Sequence, residues 1–204
     1  MVPALVVAPD VGVHMKKAAL EQSPVSYYAD FVLYPAALLG GLAVLLVRAP
    51  ALTWEMPLAA VIGFFAWSLV EYVLHRFVLH GPQPFKRWHL EHHDRPTALI
   101  GAPTLGSMAL FVVIAYLPLY WVLGPWLALA ATLGLAVGYF SYLVVHHGVH
   151  HWKARPGSWF AARKREHAIH HMPGIEGWYG VTTPFWDKVF STQRRGRSGR
   201  PENG

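Results

Sequence analysis

With 204 residues, 54% of them apolar and only 14% charged, the chain has the length of one domain and is too apolar for an ordinary soluble one. It contains no cysteine, which excludes disulfides, iron–sulfur clusters and thiolate-ligated haem and leaves metal binding to histidine and carboxylate. The formal net charge of +6 gathers around the histidine segments and the C-terminal tail. That pattern suits anionic lipid headgroups, and since no nucleic-acid-binding motif accompanies it, no nucleic-acid partner is expected.

Residues 1–27 read as a cytoplasmic lead-in, because their apolar start lacks the preceding basic residues of a cleaved signal. Four apolar segments follow, at 28–47, 57–74, 105–123 and 126–145, each close to the roughly 18–20 residues that cross a bilayer. They pair as two hairpins, turned by Arg48, Pro50 and Glu55 in the first and by Gly124 and Pro125 in the second. Lysines and arginines set the orientation. Lys16 and Lys17 precede the first span, Arg76, Lys86, Arg87 and Arg95 follow the second, and Lys153, Arg155, Arg163, Lys164 and Arg165 follow the fourth, against Arg48 alone in the outer turns. Trp54, Trp121 and Trp126 stand near the outer turns, and Trp88, Trp152, Trp159 and Trp178 in the cytoplasmic segments, as interface anchors.

The expected fold is therefore all-α: an integral membrane protein with four transmembrane helices in two hairpins and a cytoplasmic histidine-rich helical cap, both termini cytoplasmic. The membrane domain spans 28–192, and 193–204 reads as a disordered basic tail. A soluble fold is set aside because so little polar sequence remains to cover four such segments.

Ten of the 13 histidines fall into four clusters at the ends of these spans. They are His75 with His80; His89, His92 and His93; His146 with His150; and His167, His170 and His171. Residues at i, i+3 and i+4 share a helix face, so each triplet can converge on a common point and grip a metal from one helix, and His146 and His150 share a face as well. His75 and His80 do not, being about 140° apart on an ideal helix; either the helix distorts there or the two serve different sides of a site. One tetrahedral zinc takes four ligands at most, so ten imidazoles fit two adjacent ions with about four or five each.

His147 and His151 are offset by about 100° from the neighbouring ligand candidates and are placed beside the site or facing substrate. Glu71, Glu91, Asp94 and Glu166 are positioned either to accept a second ring N–H from an imidazole or to pair with Arg76, Arg95 or Arg165. The zinc-protease pattern H-E-x-x-H is absent, and Trp88 stands where its inverted form needs histidine. With no Gly-rich dinucleotide loop and no phosphate loop, electrons must come from a partner.

The segments EYVLHRFVLH (71–80), WHLEHH (88–93), VVHHGVHH (144–151), EHAIHH (166–171) and YGVTTPFWDKVF (179–190) together resemble the fatty acid hydroxylase and sterol desaturase superfamily of membrane di-iron oxygenases. The resemblance covers about residues 68–192 and assigns metal ligation to the same ten histidines. Its closing segment is most similar to that of fatty acid 2-hydroxylases. It implies two iron ions, replaceable by zinc on purification, that use O2 and two electrons from a cytochrome b5-like or ferredoxin-like donor to hydroxylate a lipid acyl chain. Eukaryotic 2-hydroxylases commonly carry a cytochrome b5-like domain, for which the lead-in is too short. Trp178, Tyr179 and Phe185 are the expected substrate-lining residues. A sterol or carotenoid oxidase of the same superfamily is the alternative within the enzyme class. A metal transporter is the alternative outside it, disfavoured because the outer halves of the spans carry almost no polar ligands.

Overall fold

The computed structural model describes residues 20–193. Most of the lead-in, with Lys16 and Lys17, and the basic tail at 194–204 lie outside the described residues. Within them the chain is helical, and no strand forms beyond an isolated antiparallel bridge between Glu21 and Ile100. A short helix α1 (Pro24–Tyr28) starts on Ser23, whose hydroxyl accepts from Ser26 N–H, with proline at the first helical position. Helix α2 (Asp30–Arg48) follows, then α3 (Glu55–Val73), which continues without a break into a π-helical turn, Leu74–Leu79.

Beyond α4 (Phe85–Asp94) come α5 (Thr104–Leu110), a second π-helical turn (Phe111–Tyr116) and α6 (Leu117–His151). Helix α6 is interrupted at Gly124, whose backbone (φ 75°, ψ 172°) is non-helical and favours glycine. Pro125 follows it, and the ring of Phe111 lies 5.3 Å from that of Tyr139. An unbroken helix would hold those two residues roughly 42 Å apart at 1.5 Å per residue, so the chain folds back at Gly124 and its limbs lie side by side. Helices α7 (Trp159–His170) and α8 (Phe185–Val189) close the chain.

Three helical stretches, Pro24–Arg48, Glu55–Leu79 and Thr104–His151, are long and apolar enough to cross a membrane, and the last contains the Gly124 reversal. Their outward side chains, such as Leu39, Ile62, Phe65, Val113 and Ile114, are exposed, as expected where lipid is the solvent. Helices α3 and α6 meet almost backbone to backbone. A Cβ on Gly63 would lie 2.1 Å from the Ala131 carbonyl oxygen, and one on Gly134 only 1.8 Å from that of Ala60. Small residues thus allow the close approach on which packing in lipid depends.

Next to this seam, the rings of Trp67, Tyr139, Phe111 and Tyr34 pack tilted or edge-on with centroids 4.9–6.0 Å apart, and Tyr34 donates to Ser107 Oγ at 2.8 Å. At the histidine end, Arg95 forks onto Glu21 at 2.8 and 3.0 Å. Lys164 donates to the Val149 and Trp152 carbonyls at 2.6 and 3.0 Å, satisfying the C-terminal end of α6 and tying α7 to it.

Candidate metal centre

The awkward pair His75 and His80 is resolved by the π-helical turn. His80 N–H donates to the His75 carbonyl, an i+5 bond of 3.1 Å, so the turn widens to hold more residues than an α-helical one and brings both rings toward one face. Their centroids stand 5.2 Å apart. Two groups of imidazoles form around this turn: His75, His80, His89, His93 and His170 in one, His92, His150, His167 and His171 in the other. Within each group the ligand atoms lie within 4.8 Å of one another.

Neither triplet acts as a unit, contrary to the expectation that each grips one metal. On α4, His89 and His93 join the first group and His92 the second; from α7, His170 joins the first and His167 and His171 the second. The helical pitch explains the division. Residues i and i+4 are about 40° apart, whereas i+3 lies about 60° to the other side of i. The i, i+4 pair therefore serves one group and the remaining histidine reaches across to the neighbour. His146 is not counted in either group; it lies 4.8 Å from His92, 4.9 Å from His150 and 5.0 Å from His167, and is stacked on Tyr142.

The donor chemistry fits cations. His75 donates from Nδ1 to the Tyr179 carbonyl (2.6 Å) and His170 from Nδ1 to the Gly177 carbonyl (2.7 Å). A neutral imidazole has one ring proton, so Nε2 of both carries a lone pair. Those lone pairs face further ring nitrogens: His75 Nε2 is 2.9 Å from His89 Nε2, which is 3.1 Å from His93 Nε2, and His80 Nε2 is 3.1 Å from His170 Nε2. In the second group, His167 Nε2 lies 2.9 Å from His150 Nε2 and 3.1 Å from His171 Nε2. Two nitrogens about 3 Å apart, each about 2.1 Å from a shared ion, subtend roughly 90°, narrower than the tetrahedral angle of a four-coordinate zinc. His92 is 5% exposed, and neither of its ring nitrogens has a protein partner.

Burial, reinforced for several rings by neighbouring imidazoles, holds these groups neutral. His89, His92 and His167 are pushed well below the usual imidazole range, His80 and His171 down to about 4, and His170 to about 3. The neutral ring is the metal-binding form.

The supporting residues divide. Glu71 accepts from Val181 N–H (2.6 Å), Thr182 N–H (2.9 Å) and Thr182 Oγ1 (2.5 Å), so its carboxylate holds a loop and not an imidazole. Glu166 pairs with Arg163, one turn back, where Arg165 was an expected partner. Glu91 is half-buried on α4 and Asp94 exposed at its end. His147 points away from both groups, its Nδ1 3.1 Å from Tyr27 Oη, with His151 stacked on it at 4.4 Å.

Tyr179 is buried with its ring 5.5–5.7 Å from His75, His80 and His170. Trp178 is half-buried with a left-handed backbone (φ 57°), and Phe185 is exposed beside Trp186. Spacing arguments do not find Asp187, which is 0% exposed and accepts from Tyr179 N–H (2.9 Å), Gly180 N–H (2.8 Å) and Thr192 Oγ1 (2.6 Å). Its one signal in the sequence is its place in the closing YGVTTPFWDKVF segment.

The family model for fatty acid hydroxylase matches residues 60–192, which include every helix that contributes a histidine. The chain is 32% identical over 149 residues to the ceramide very long chain fatty acid hydroxylase of Schizosaccharomyces pombe, covering 65% of this chain and 41% of that one. It is 36% identical over 152 residues to the corresponding protein of Saccharomyces cerevisiae, covering 64% and 36%. To the human fatty acid 2-hydroxylase it is 29% identical over 143 residues, covering 64% and 38%. It thus spans about two fifths of the length of these curated relatives. A solved structure of full-length scs7p, with only the hydroxylase domain visible, superposes with a TM-score of 0.68 at 23% identity, covering 85% of this chain and 67% of that one. At that identity the likeness speaks for the fold.

Proposed function

Because the chain belongs to the fatty acid hydroxylase family, we propose that it is a membrane-bound, O2-dependent hydroxylase of lipid acyl chains that acts on the carbon next to the carbonyl. The observation that carries this reading is the convergence of nine imidazoles into two adjacent groups of five and four. Two bound iron ions supply oxygen activation, and the balance is R–H + O2 + 2 e⁻ + 2 H⁺ giving R–OH + H2O, the electrons coming from an external cytochrome b5-like or ferredoxin-like donor. His75, His80, His89, His93 and His170 would hold one ion, and His92, His150, His167 and His171, with His146 alongside, the other.

The chain's own work is to orient and to exclude. Carbonyls at Tyr179 and Gly177 keep the Nδ1 protons of His75 and His170 in place, so their lone pairs point inward. The Tyr179 ring covers the first group, leaving an acyl methylene to approach from the lipid side. This reading includes four membrane spans in two hairpins within 28–192, the histidine cap and both termini on the cytoplasmic side, and Trp178 and Phe185 beside Tyr179 along the substrate path. The concentration of Lys86, Arg87, Lys153, Arg155 and Arg165 at the histidine end supports that orientation.

The test is product analysis of lipids from cells expressing the chain, paired with metal content of the purified protein. A 2-hydroxy acyl product with close to two irons per chain is expected. An oxidised sterol with unchanged acyl chains would overturn the substrate.

A further inference from the structure

Four consecutive amides, those of Tyr179, Gly180, Val181 and Thr182, all donate to two buried carboxylates. The first two reach Asp187 and the last two Glu71, at 2.6–2.9 Å. The carboxylates belong to different elements, Glu71 to α3 one turn before His75 and Asp187 to α8, so the segment at 177–182 is strapped across the site from both sides. At Gly180 a Cβ would lie 2.1 Å from the Thr183 carbonyl oxygen and 3.0 Å from Asp187 Oδ2, so the strap closes only around glycine. Tyr72 Oη, 3.2 Å from Thr192 Oγ1 and receiving Arg76 Nη1 at 2.7 Å, extends the network outward.

The strap's carbonyls meet the metal groups at two places, Tyr179 O on His75 and Gly177 O on His170. Both histidines belong to the five-histidine group, whereas the Nδ1 atoms of His92 and His167 in the other group have no protein partner. We infer that Glu71 and Asp187 are positioning residues which, through this strap, fix the ring orientation and tautomer of His75 and His170 and so set metal retention in the five-histidine group independently of the four-histidine group.

Carboxylate is required at Asp187 because it only accepts and each of its oxygens takes one strap amide, whereas Glu71 takes both of its amides on Oε1 and the Thr182 hydroxyl on Oε2. An asparagine at 187 would turn its NH2 toward a backbone N–H, leaving one strap donor unpaired and adding a donor–donor clash, and an apolar side chain at 71 would leave both of its strap amides without their acceptor. Outer partners of this kind typically alter metal affinity about 10- to 100-fold.

The inference rests on the two-ion reading, and the experiment separates the two. Full-length chain in detergent is loaded with zinc, and retention is titrated against a chelator in two backgrounds, each with the other group cut to two imidazoles: His150→Ala with His167→Ala to report the five-histidine group, and His75→Ala with His89→Ala and His93→Ala to report the four-histidine group. Asp187→Asn and Glu71→Leu should each weaken zinc retention about 10-fold or more in the first background, and less than about twofold in the second. Equal shifts in both backgrounds, as a general loosening of the fold would give, or no shift in either, overturns the inference. If Asp187→Asn does not fold, Thr182→Val removes one donor to Glu71 and carries the same expectation with the same contrary outcomes. A wild-type chain that takes up fewer than two zinc ions overturns the two-ion reading and this inference with it.

Discussion

His92 shows at single-residue scale how a site costs stability until it is filled. A buried ring with neither nitrogen partnered forfeits about 1–3 kcal/mol per unmade hydrogen bond, and neither ring nitrogen of His92 has a protein partner. Replacing it with leucine, of similar volume and with nothing to satisfy, should raise the melting temperature of the metal-free chain while abolishing turnover. Lowered stability would mean that His92 is held by protein contacts instead of by a metal. His170→Ala should likewise abolish hydroxylation with the helical circular dichroism unchanged; retained turnover would remove it from the site. The lowered His80, His170 and His171 set a second expectation at this scale. Each sits below the ordinary 6.5 when folded, so below that pH the unfolded chain binds more protons than the folded one. The contribution of these rings to the stability of the stripped protein is therefore full above about pH 6.5 and is lost as pH falls through about 4, for His80 and His171, to about 3, for His170. A melting temperature independent of pH across that window would contradict the burial of these rings.

At the scale of elements, the seam between α3 and α6 fixes where His75 and His150 emerge relative to each other, and it depends on glycine. Gly134→Val would drive a side chain into the Ala60 carbonyl and force the helices apart, whereas nothing lies within 4 Å of a Cβ on Gly40. The valine should destabilise by about 1–3 kcal/mol in a denaturing-detergent titration and loosen metal binding, while Gly40→Ala stays near wild type. If the two variants behave alike, the seam is not under this constraint. The long apolar helices are legible in the sequence because an apolar run of bilayer length has few other uses, and the reversal at Gly124 and Pro125 because a Gly–Pro pair interrupts a helix. The His75–His80 spacing announced a conflict without its resolution, since a π-helical turn is chosen by what the rings meet across space. The division of the H-x-x-H-H triplets was hidden for a related reason: pitch sets the i, i+4 pair apart from the remaining histidine, but a second group for that histidine to join exists only once the neighbouring helices are in place. The strap was invisible because its contacts to the histidines are backbone carbonyls, which carry no side-chain signature, and Asp187 acts on backbone amides at one further remove.

For the whole molecule, the number of times the chain crosses the bilayer governs function, because sidedness decides whether an electron donor and the metal groups meet on the same face. Charge distribution and the contact between Phe111 and Tyr139 both support a chain that turns back at Gly124, which puts Thr53 and Pro125 on one side and Lys86 and Lys153 on the other. All four positions are exposed. The absence of native cysteine makes each of them testable by a single introduced thiol. In sealed vesicles of known orientation, a membrane-impermeant maleimide should label Lys86→Cys and Lys153→Cys from the cytoplasmic face, and Thr53→Cys and Pro125→Cys from the opposite face. Were Pro125→Cys to label from the same face as Lys153→Cys, the second hairpin would not span the membrane. The histidine end of α6 would then lack the fixed depth that lets an acyl chain reach it from the lipid while a soluble donor reaches it from water.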